Sequence, residues 1–402
     1  MIHSFSCKNF YSFGKEVKVS FVVNNNAPDN NGYFITPLGF RLSKMETVIG
    51  PNASGKTNLL KVLPFLKWVM VNSVVRSVDA PILIQTFAFD DSEDNPSEMS
   101  VVFETNNKVY NYFFSATKKR IIKEELKSIE FAKVKKSTKK LFERHWDEKT
   151  KKYEFNDYNF KLPKEIKDAQ RVNAGLIGSA AKLNHIESQV IVDYWEKLGT
   201  NVVEAGWIGD ILFPNSTKQL FEVLDFFSEN DDLKKHAEKL LCRFDLGLKG
   251  LEIIKEKKEN TFSIDVKATH LFNGQDQFLP IAYESSGTKQ LLVLLKNILV
   301  ALKNGNMVII DEFEYNLHPE VLIALHDLFI HPETNPKNAQ LLMSTHSHII
   351  LSKLDKYQIV LVEKDENGMS DTWRLDDVAG SRLDENYYAK YMAGAYGAVP
   401  KI

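Results

Sequence analysis

The sequence predicts an α/β protein: a mixed, mainly parallel sheet flanked by helices, interrupted by a charged and helical insert. Three observations predict it. Short apolar strands alternate with helices near both ends of the chain, the pattern of a sheet covered on its faces. A glycine-bounded loop joins the β-branched run Glu46-Thr47-Val48-Ile49 to a helical stretch. About 255 residues later, the apolar strand Met307-Val308-Ile309-Ile310 ends in the two carboxylates Asp311 and Glu312. Two α/β portions, residues 1–115 and 278–402, therefore enclose an insert over 116–277.

The N-terminal portion opens with strands. Val17, Val19 and Phe21 alternate with Lys18 and Ser20, the period of a half-buried strand. Asn24 to Gly32 is a polar turn region. From Asn58 the pattern is helical, with Leu59, Leu60, Leu63, Leu66 and Val69 on one face, and Pro64 should make that helix irregular. Further strands are expected at Ile82-Leu83-Ile84, Met99-Val101-Phe103 and Val109 to Phe114.

Residues 117–153 carry fourteen Lys or Arg against six Asp or Glu. Lys118, Lys119, Arg120, Lys133, Lys135, Lys136, Lys139, Lys140 and Arg144, with Phe131, Phe142 and Trp146 interleaved, could track a phosphate backbone. A solvated surface hairpin is the plainer alternative. Residues 165–245 are expected to be mostly helical, with Phe221, Leu224, Phe227, Leu240, Leu241 and Phe244 at helical spacing. In the C-terminal portion a helix over Glu320 to Phe329 and strands at Gln340 to Met343 and Ile359 to Val362 complete the alternation.

Composition bounds the function classes. The chain has 402 residues, 44% hydrophobic, with a formal charge of −2, so any contact with nucleic acid must come from a local patch. Two isolated cysteines, Cys7 and Cys242, suit a reducing cytoplasm and argue against structural zinc. No signal peptide is expected, and no run is expected to reach the roughly 18 apolar residues that span a membrane.

Gly50-Pro51-Asn52-Ala53-Ser54-Gly55-Lys56-Thr57 follows the phosphate-loop pattern of Gly, four residues, Gly-Lys-Thr. Glycines let the backbone wrap so that its N–H groups converge on a β-phosphate, and the helix that follows adds its positive end. Lys56 would reach the β- and γ-phosphates, no other cation being placed for them, and Thr57 would offer its hydroxyl to Mg²⁺. A strand tip places Asp311 to hold the Mg²⁺ shell and Glu312 to polarise an attacking water. After the next apolar strand, Ser344-Thr345-His346-Ser347 places His346 to reach the γ-phosphate. Glu284-Ser285-Ser286-Gly287-Thr288 opens an apolar helix about 20 residues before the acidic strand, leaving N–H groups and a hydroxyl facing outward. By itself that turn would be an ordinary helix cap.

The order of these motifs, with Leu317-His318-Pro319 between the acidic strand and His346, resembles the ATP-binding-cassette ATPases. The chain is similar to their soluble branch, the RecF-, SMC- and OLD-type ATPases, and looks most like the AAA-type ATPases of bacterial abortive-infection and phage-defence loci. Asn9-Phe10-Tyr11-Ser12-Phe13, Gly50 to Asn58, Asp311-Glu312-Phe313-Glu314 and the ending Tyr391 to Pro400 carry the likeness, which covers roughly 1–105 and 278–402. Ser286 and Thr288 stand where transporters carry Gly and Gln, a departure that suits the defence-type branch.

The resemblance implies an ABC-type ATPase head that binds ATP and Mg²⁺ between two subunits. Asn52, Ala53, Ser54, Gly55, Lys56, Thr57 and Asn58 of one would hold the nucleotide, and Ser285 and Gly287 of the other would cap it in trans. Thr57 and Asp311 would hold the metal, Glu312, His346 and Lys56 would serve catalysis, and Gln85, on placement alone, would sense Mg²⁺ and water. A homodimer or higher oligomer and a separate effector protein are the expected partners, with nucleic acid a further one and no membrane. A defence ATPase controlling a toxic partner competes with a DNA-gripping ATPase of genome maintenance. A phosphate-loop GTPase or kinase is third, because no Asn-Lys-x-Asp guanine-reading motif occurs. The tyrosine-rich stretch Tyr387 to Tyr396 would either dock a partner or pack on its own subunit.

Overall fold

The computed structural model describes residues 1–89, 95–132, 135–168, 170–202, 216–244, 247–258, 261–314 and 317–400. One sheet is antiparallel and seven-stranded. It holds β1 (Ile2–Lys8), β2 (Val17–Ser20), β6 (Ser97–Thr105), β7 (Lys108–Ala116), β8 (Ile121–Ala132), β9 (Lys135–Asp147) and β10 (Lys152–Asp157), in the order β10-β9-β8-β7-β6-β1-β2. A second sheet has six strands. In spatial order they are β11 (Gly199–Thr200), β15 (Met307–Ile310), β16 (Gln340–Ser344), β5 (Met45–Ile49), β17 (Ile359–Lys364) and β18 (Ser370–Arg374). All its pairings are parallel except that of β17 with β18. The expected α/β architecture is thus observed, and β5, β15 and β16 are buried along their whole length, as strands covered on both faces must be. A short hairpin of β3 (Tyr33–Ile35) and β4 (Arg41–Ser43) leads into β5.

Helices form as the apolar spacing predicts. Lys56 to Val75 is helical in pieces: α1 (Lys56–Leu60), α2 (Val62–Lys67), a π-turn over Trp68–Asn72 and a short 3₁₀ turn. The break at Lys61 has a local cause. Pro64 has no N–H to give the Leu60 carbonyl, so the ladder is interrupted one turn before the proline. Leu59, Leu60, Leu63, Leu66 and Val69 are all buried. By length and composition this run could cross a membrane, contrary to the expectation that none would, but most of it is packed inside the core.

α3 (Lys164–Asp168), α4 (Leu176–Ala181), α5 (Ile186–Glu196), α6 (Ser216–Glu229) and α7 (Asp231–Phe244) are the helices among the described residues of the expected helical stretch. Phe221 departs from its helix's buried face: it is exposed, whereas Leu224 and Phe227 are buried. A three-stranded antiparallel sheet, β12 (Leu248–Lys258), β13 (Thr261–Phe272) and β14 (Gln275–Pro280), was not anticipated. It precedes α8 (Ser286–Asn304); α9 (Pro319–Ile330) and α10 (Tyr387–Met392) complete the helices of the described residues. Ile82-Leu83-Ile84 is extended but pairs into no sheet. Ile82 and Ile84 are buried, while the Ile82 N–H donates to the Lys118 carbonyl.

The basic run resolves into sheet. Lys123 lies 3.6 Å from Glu125 and 3.0 Å from Glu143, Lys140 lies 2.7 Å from Glu143, Lys139 2.7 Å from Glu130, and Lys127 pairs with Glu125. These are cross-strand or same-face neighbours, so four of the lysines are matched within the sheet. Arg144 is no surface cation. It is fully buried, bonds Glu124 at 2.6 Å and donates to the carbonyls of Arg171 and Ala174, while Glu124 also accepts from the Tyr112 hydroxyl and the Leu176 N–H. Phe142 is core, and the Arg120 guanidinium stacks 4.5 Å from the Trp146 ring. Lys133 and the side chains of Phe131, Lys135 and Lys136 lie outside the described residues.

The tyrosines near the end pack on their own subunit. Tyr387, Tyr391 and Tyr396 are buried, with hydroxyls donating to Arg382 O, Ala398 O and Glu385; only Tyr388 is exposed.

Glu46 sits fully buried in β5 beneath the phosphate loop. Burial pushes its carboxyl well above the usual carboxylate range, and the Arg374 guanidinium, which pulls the other way, is itself held by Asp376 at 2.5 and 3.0 Å. The folded state therefore holds the Glu46 proton more tightly than the unfolded chain does. Its contribution to stability is full below the unfolded pKa and is lost as pH rises toward the folded one. Glu46→Gln, which keeps the shape without the charge, should raise Tm at pH 8 by roughly 2–4 °C and by less at pH 5. Thermal melts of both proteins at the two pH values check this; an equal shift at both would remove Glu46 as the cause.

Candidate nucleotide site

Gly50 to Gly55 form a loop between β5 and α1 at the C-terminal edge of the parallel sheet, and Lys56 and Thr57 open α1. Its glycines are required by contact and by conformation. A Cβ at Gly50 would overlap the Val362 carbonyl oxygen of β17. Gly55 has φ 114°, and a Cβ there would lie 2.5 Å from Ser370 Oγ and 2.8 Å from Ser12 Oγ. Ala53 adopts φ 60°. Ser370 donates to the Ser54 carbonyl at 2.5 Å and lies 2.8 Å from Ser12 Oγ, and Asn58 Nδ2 donates to Ser12 Oγ at 3.0 Å. The loop is thus braced from both ends of the sequence. Gly50→Ala should lower stability by about 1–3 kcal/mol and weaken nucleotide binding, because the loop must move off β17. Thermal unfolding and a nucleotide titration measure both, and an unaltered loop affinity would contradict the close approach.

Lys56 Nζ donates to the carbonyls of Gly50 (2.9 Å) and Pro51 (2.8 Å), which hold the ammonium at the loop. Burial lowers its pKa, and the nearby Asp311, Glu314 and Glu312 act to raise it.

β15 carries the acids to the same edge. Asp311 is gripped on both sides of its peptide by Asn201, just past β11: its N–H donates to Asn201 Oδ1 (2.8 Å) and its carbonyl accepts from Nδ2 (3.0 Å). Ser344, at the end of β16, donates to Asp311 Oδ1 and accepts the Glu312 N–H at 2.9 Å. That bond helps hold Glu312 at φ 49°, a strained value for this residue type, with its side chain exposed. The His346 N–H donates to Glu314 Oε1 at 2.5 Å.

A cavity of about 560 Å³ joins these groups. Asn52 to Asn58 of the loop line it together with Asp311, Glu312, Ser344, His346 and Lys364. The structure therefore brings together Lys56, Thr57, Asp311, Glu312 and His346. Gln85 does not line this cavity: its carbonyl accepts from the Tyr11 N–H at 2.8 Å and its side chain is exposed. Ser285 and Gly287 lie apart from it at the start of α8, where the exposed Ser285 accepts from the Thr288 N–H at 3.0 Å.

Three residues were missed. Lys364 is a second cation in the cavity, which corrects the view that Lys56 stands alone; it follows the β17 run Ile359 to Val362 by two positions, a register signal in the sequence. Ser344 was named only as the start of the segment that carries His346. Asn201 gave no local signal, since its partner is 110 residues away.

The family described as "AAA domain, putative AbiEii toxin, Type IV TA system" matches residues 47–352. The chain belongs to this AAA_21 family. An AAA_21 chain is a phosphate-loop ATPase by family, and the matched span includes the loop, Asp311, Glu312 and His346 that line the cavity, while Lys364 lies beyond it. Comparison with curated proteins gives no match. Among solved structures, the chain is similar to the "SMC head domain from Thermotoga maritima" at 15% identity over 93% of this chain and 98% of that one, with a TM-score of 0.39. It is also similar to a Pyrococcus furiosus Smc head domain with an extended coiled coil bound to the C-terminal domain of ScpA, at 13% identity, 94% and 97% coverage and TM-score 0.47. A third is a Pyrococcus yayanosii Smc head domain with a coiled coil and joint, at 12% identity, 98% and 99% coverage and TM-score 0.47.

Proposed function

We propose that this AAA_21 protein binds ATP with Mg²⁺ between two copies of itself, hydrolyses it, and uses the resulting change of shape to control a separate effector in anti-phage defence. The observation that carries the reading is the single cavity in which Lys56 and Thr57 face Asp311, Glu312 and His346.

The donors suit a magnesium nucleotide. A carboxylate and a hydroxyl are hard oxygen ligands, and Mg²⁺ characteristically takes one or two such protein ligands and completes its shell with phosphates and water. Thr57 and Asp311 would hold the ion, which supplies neutralisation of phosphate charge. Lys56 and the loop N–H groups bind the β- and γ-phosphates. Glu312 accepts a proton from the attacking water, and His346 orients the γ-phosphate beside it. Asn201 and Ser344 hold Asp311 and the Glu312 N–H, so the strand tip that carries the base need not be ordered at the moment of reaction. Ser285 and Gly287, off their own cavity, are free to cap a partner's nucleotide. ATP would then stabilise the closed pair, and hydrolysis would release it.

The defence link is supported by the family description, which names a "putative AbiEii toxin" and a type IV toxin–antitoxin system, and the separate effector is our proposal. A nucleic-acid grip is less favoured, because Lys123, Lys127, Lys139 and Lys140 of β8 and β9 pair with Glu125, Glu130 and Glu143. The test is to purify the chain alone and assay ATP turnover alongside cleavage of DNA, RNA and tRNA with Mg²⁺ or Mn²⁺. Turnover without cleavage supports the regulator. Cleavage abolished by Glu312→Gln would make the chain itself the effector.

A further inference from the structure

The parallel sheet gives the cavity a direction. β15, β16, β5 and β17 run the same way and lie side by side, so their C-terminal ends form one edge. Asp311 and Glu312 leave β15 and His346 follows β16, on one flank of the loop that leaves β5. Lys364 ends β17, on the opposite flank. Register fixes its height. Leu361 pairs with Ile49, and the Val362 carbonyl abuts Gly50, so Lys364 stands two residues beyond the point where the loop begins. At a strand spacing of about 4.8 Å, β15 and β17 are some 14 Å apart, with the loop between them. Lys364 is half-buried in the cavity wall, and among the described residues its ammonium has no carboxylate partner.

A triphosphate seated on this loop has only one orientation that brings its γ end to the acids and His346. Its α end then points toward β17. We propose that Lys364 is the cation for the α-phosphate, at the nucleoside end of the site, with Lys56 serving the β and γ positions. This rests on the nucleotide-binding reading above and adds the polarity of the bound nucleotide to it. Two cations then share the charge along the phosphate tail, and the loss of one removes charge-assisted bonds from a defined phosphate.

ADP and ATP share the α-phosphate, so a contact there cannot distinguish them. The experiment titrates the full chain with Mg-ADP and with Mg-adenylyl imidodiphosphate, as wild type, Lys364→Ala and Lys364→Arg, with thermal melts confirming that each is folded. Lys364→Ala should weaken both ligands by about tenfold while leaving the ratio of their Kd values within about twofold of wild type. Lys364→Arg should recover most of the loss. Affinities unchanged in Lys364→Ala would overturn the assignment, as would a loss confined to the triphosphate analogue, which would put the lysine at the γ end. If wild type binds neither nucleotide, the proposed function itself fails, a result distinct from either of these.

Discussion

Glu312→Gln is expected to bind ATP as the parent does and to turn it over roughly 10²–10⁴-fold more slowly, the range for loss of a positioned general base. The amide keeps the size of the side chain and the Glu312 N–H bond to Ser344, so the strand tip need not move. Only the ability to take a proton is removed. Lys56→Ala should behave in the opposite way, losing affinity before chemistry, because the ammonium sits in the loop itself and not at the tip of β15. Lys364 remains in that variant, so weak residual binding is expected. Equilibrium nucleotide binding and single-turnover hydrolysis on the three proteins separate the two effects. Turnover at the parental rate in Glu312→Gln would remove Glu312 from the chemistry.

Mixing two dead variants should restore activity. Lys56→Ala destroys the loop half of a site, and Gly287→Asp puts a carboxylate at the start of α8, where a partner's phosphates would be capped. Each is expected to be inactive alone. In an equal mixture, random pairing leaves about a quarter of the sites intact, each built from the loop of one chain and the α8 start of the other. The basis is geometric: Ser285 is exposed and lies away from the cavity that its own loop lines. Heterodimers shown to form, yet without recovered turnover, would rule out a site shared between subunits.

The parts that the sequence discloses are those whose chemistry is local. Gly50 to Thr57 announces a phosphate loop because one short segment must supply glycines, a lysine and a hydroxyl together. Met307 to Glu312 announces an acidic strand tip for the same reason. What stayed hidden depends on partners that strand pairing and packing bring together. Lys139 and Lys140 look like part of a polyanion track until Glu130 and Glu143 are found beside them, and Arg144 looks like one more surface cation until Glu124 is found beside it in the core. Ile82 to Ile84 has strand composition, but β-branched residues suit any extended buried segment and do not ensure a pairing partner. Lys364 stands two positions past the run Ile359 to Val362, but only the pairing of β17 with β5 shows that this register brings it to the loop.

The bracing of the phosphate loop also bears on how the protein is made. The loop is synthesised by residue 57, yet β5 needs β16 and β17 on its two sides, and Gly55 packs against a hydroxyl at Ser370. At ordinary rates of translation, the wait between the loop and its last brace is on the order of 15–60 s. Until residue 340 is made, the strand Met45 to Ile49 has neither of its sheet neighbours. A ribosome-bound chain stalled before residue 340 should therefore engage chaperones through this strand and bind no nucleotide, although every residue of its phosphate loop is already in place.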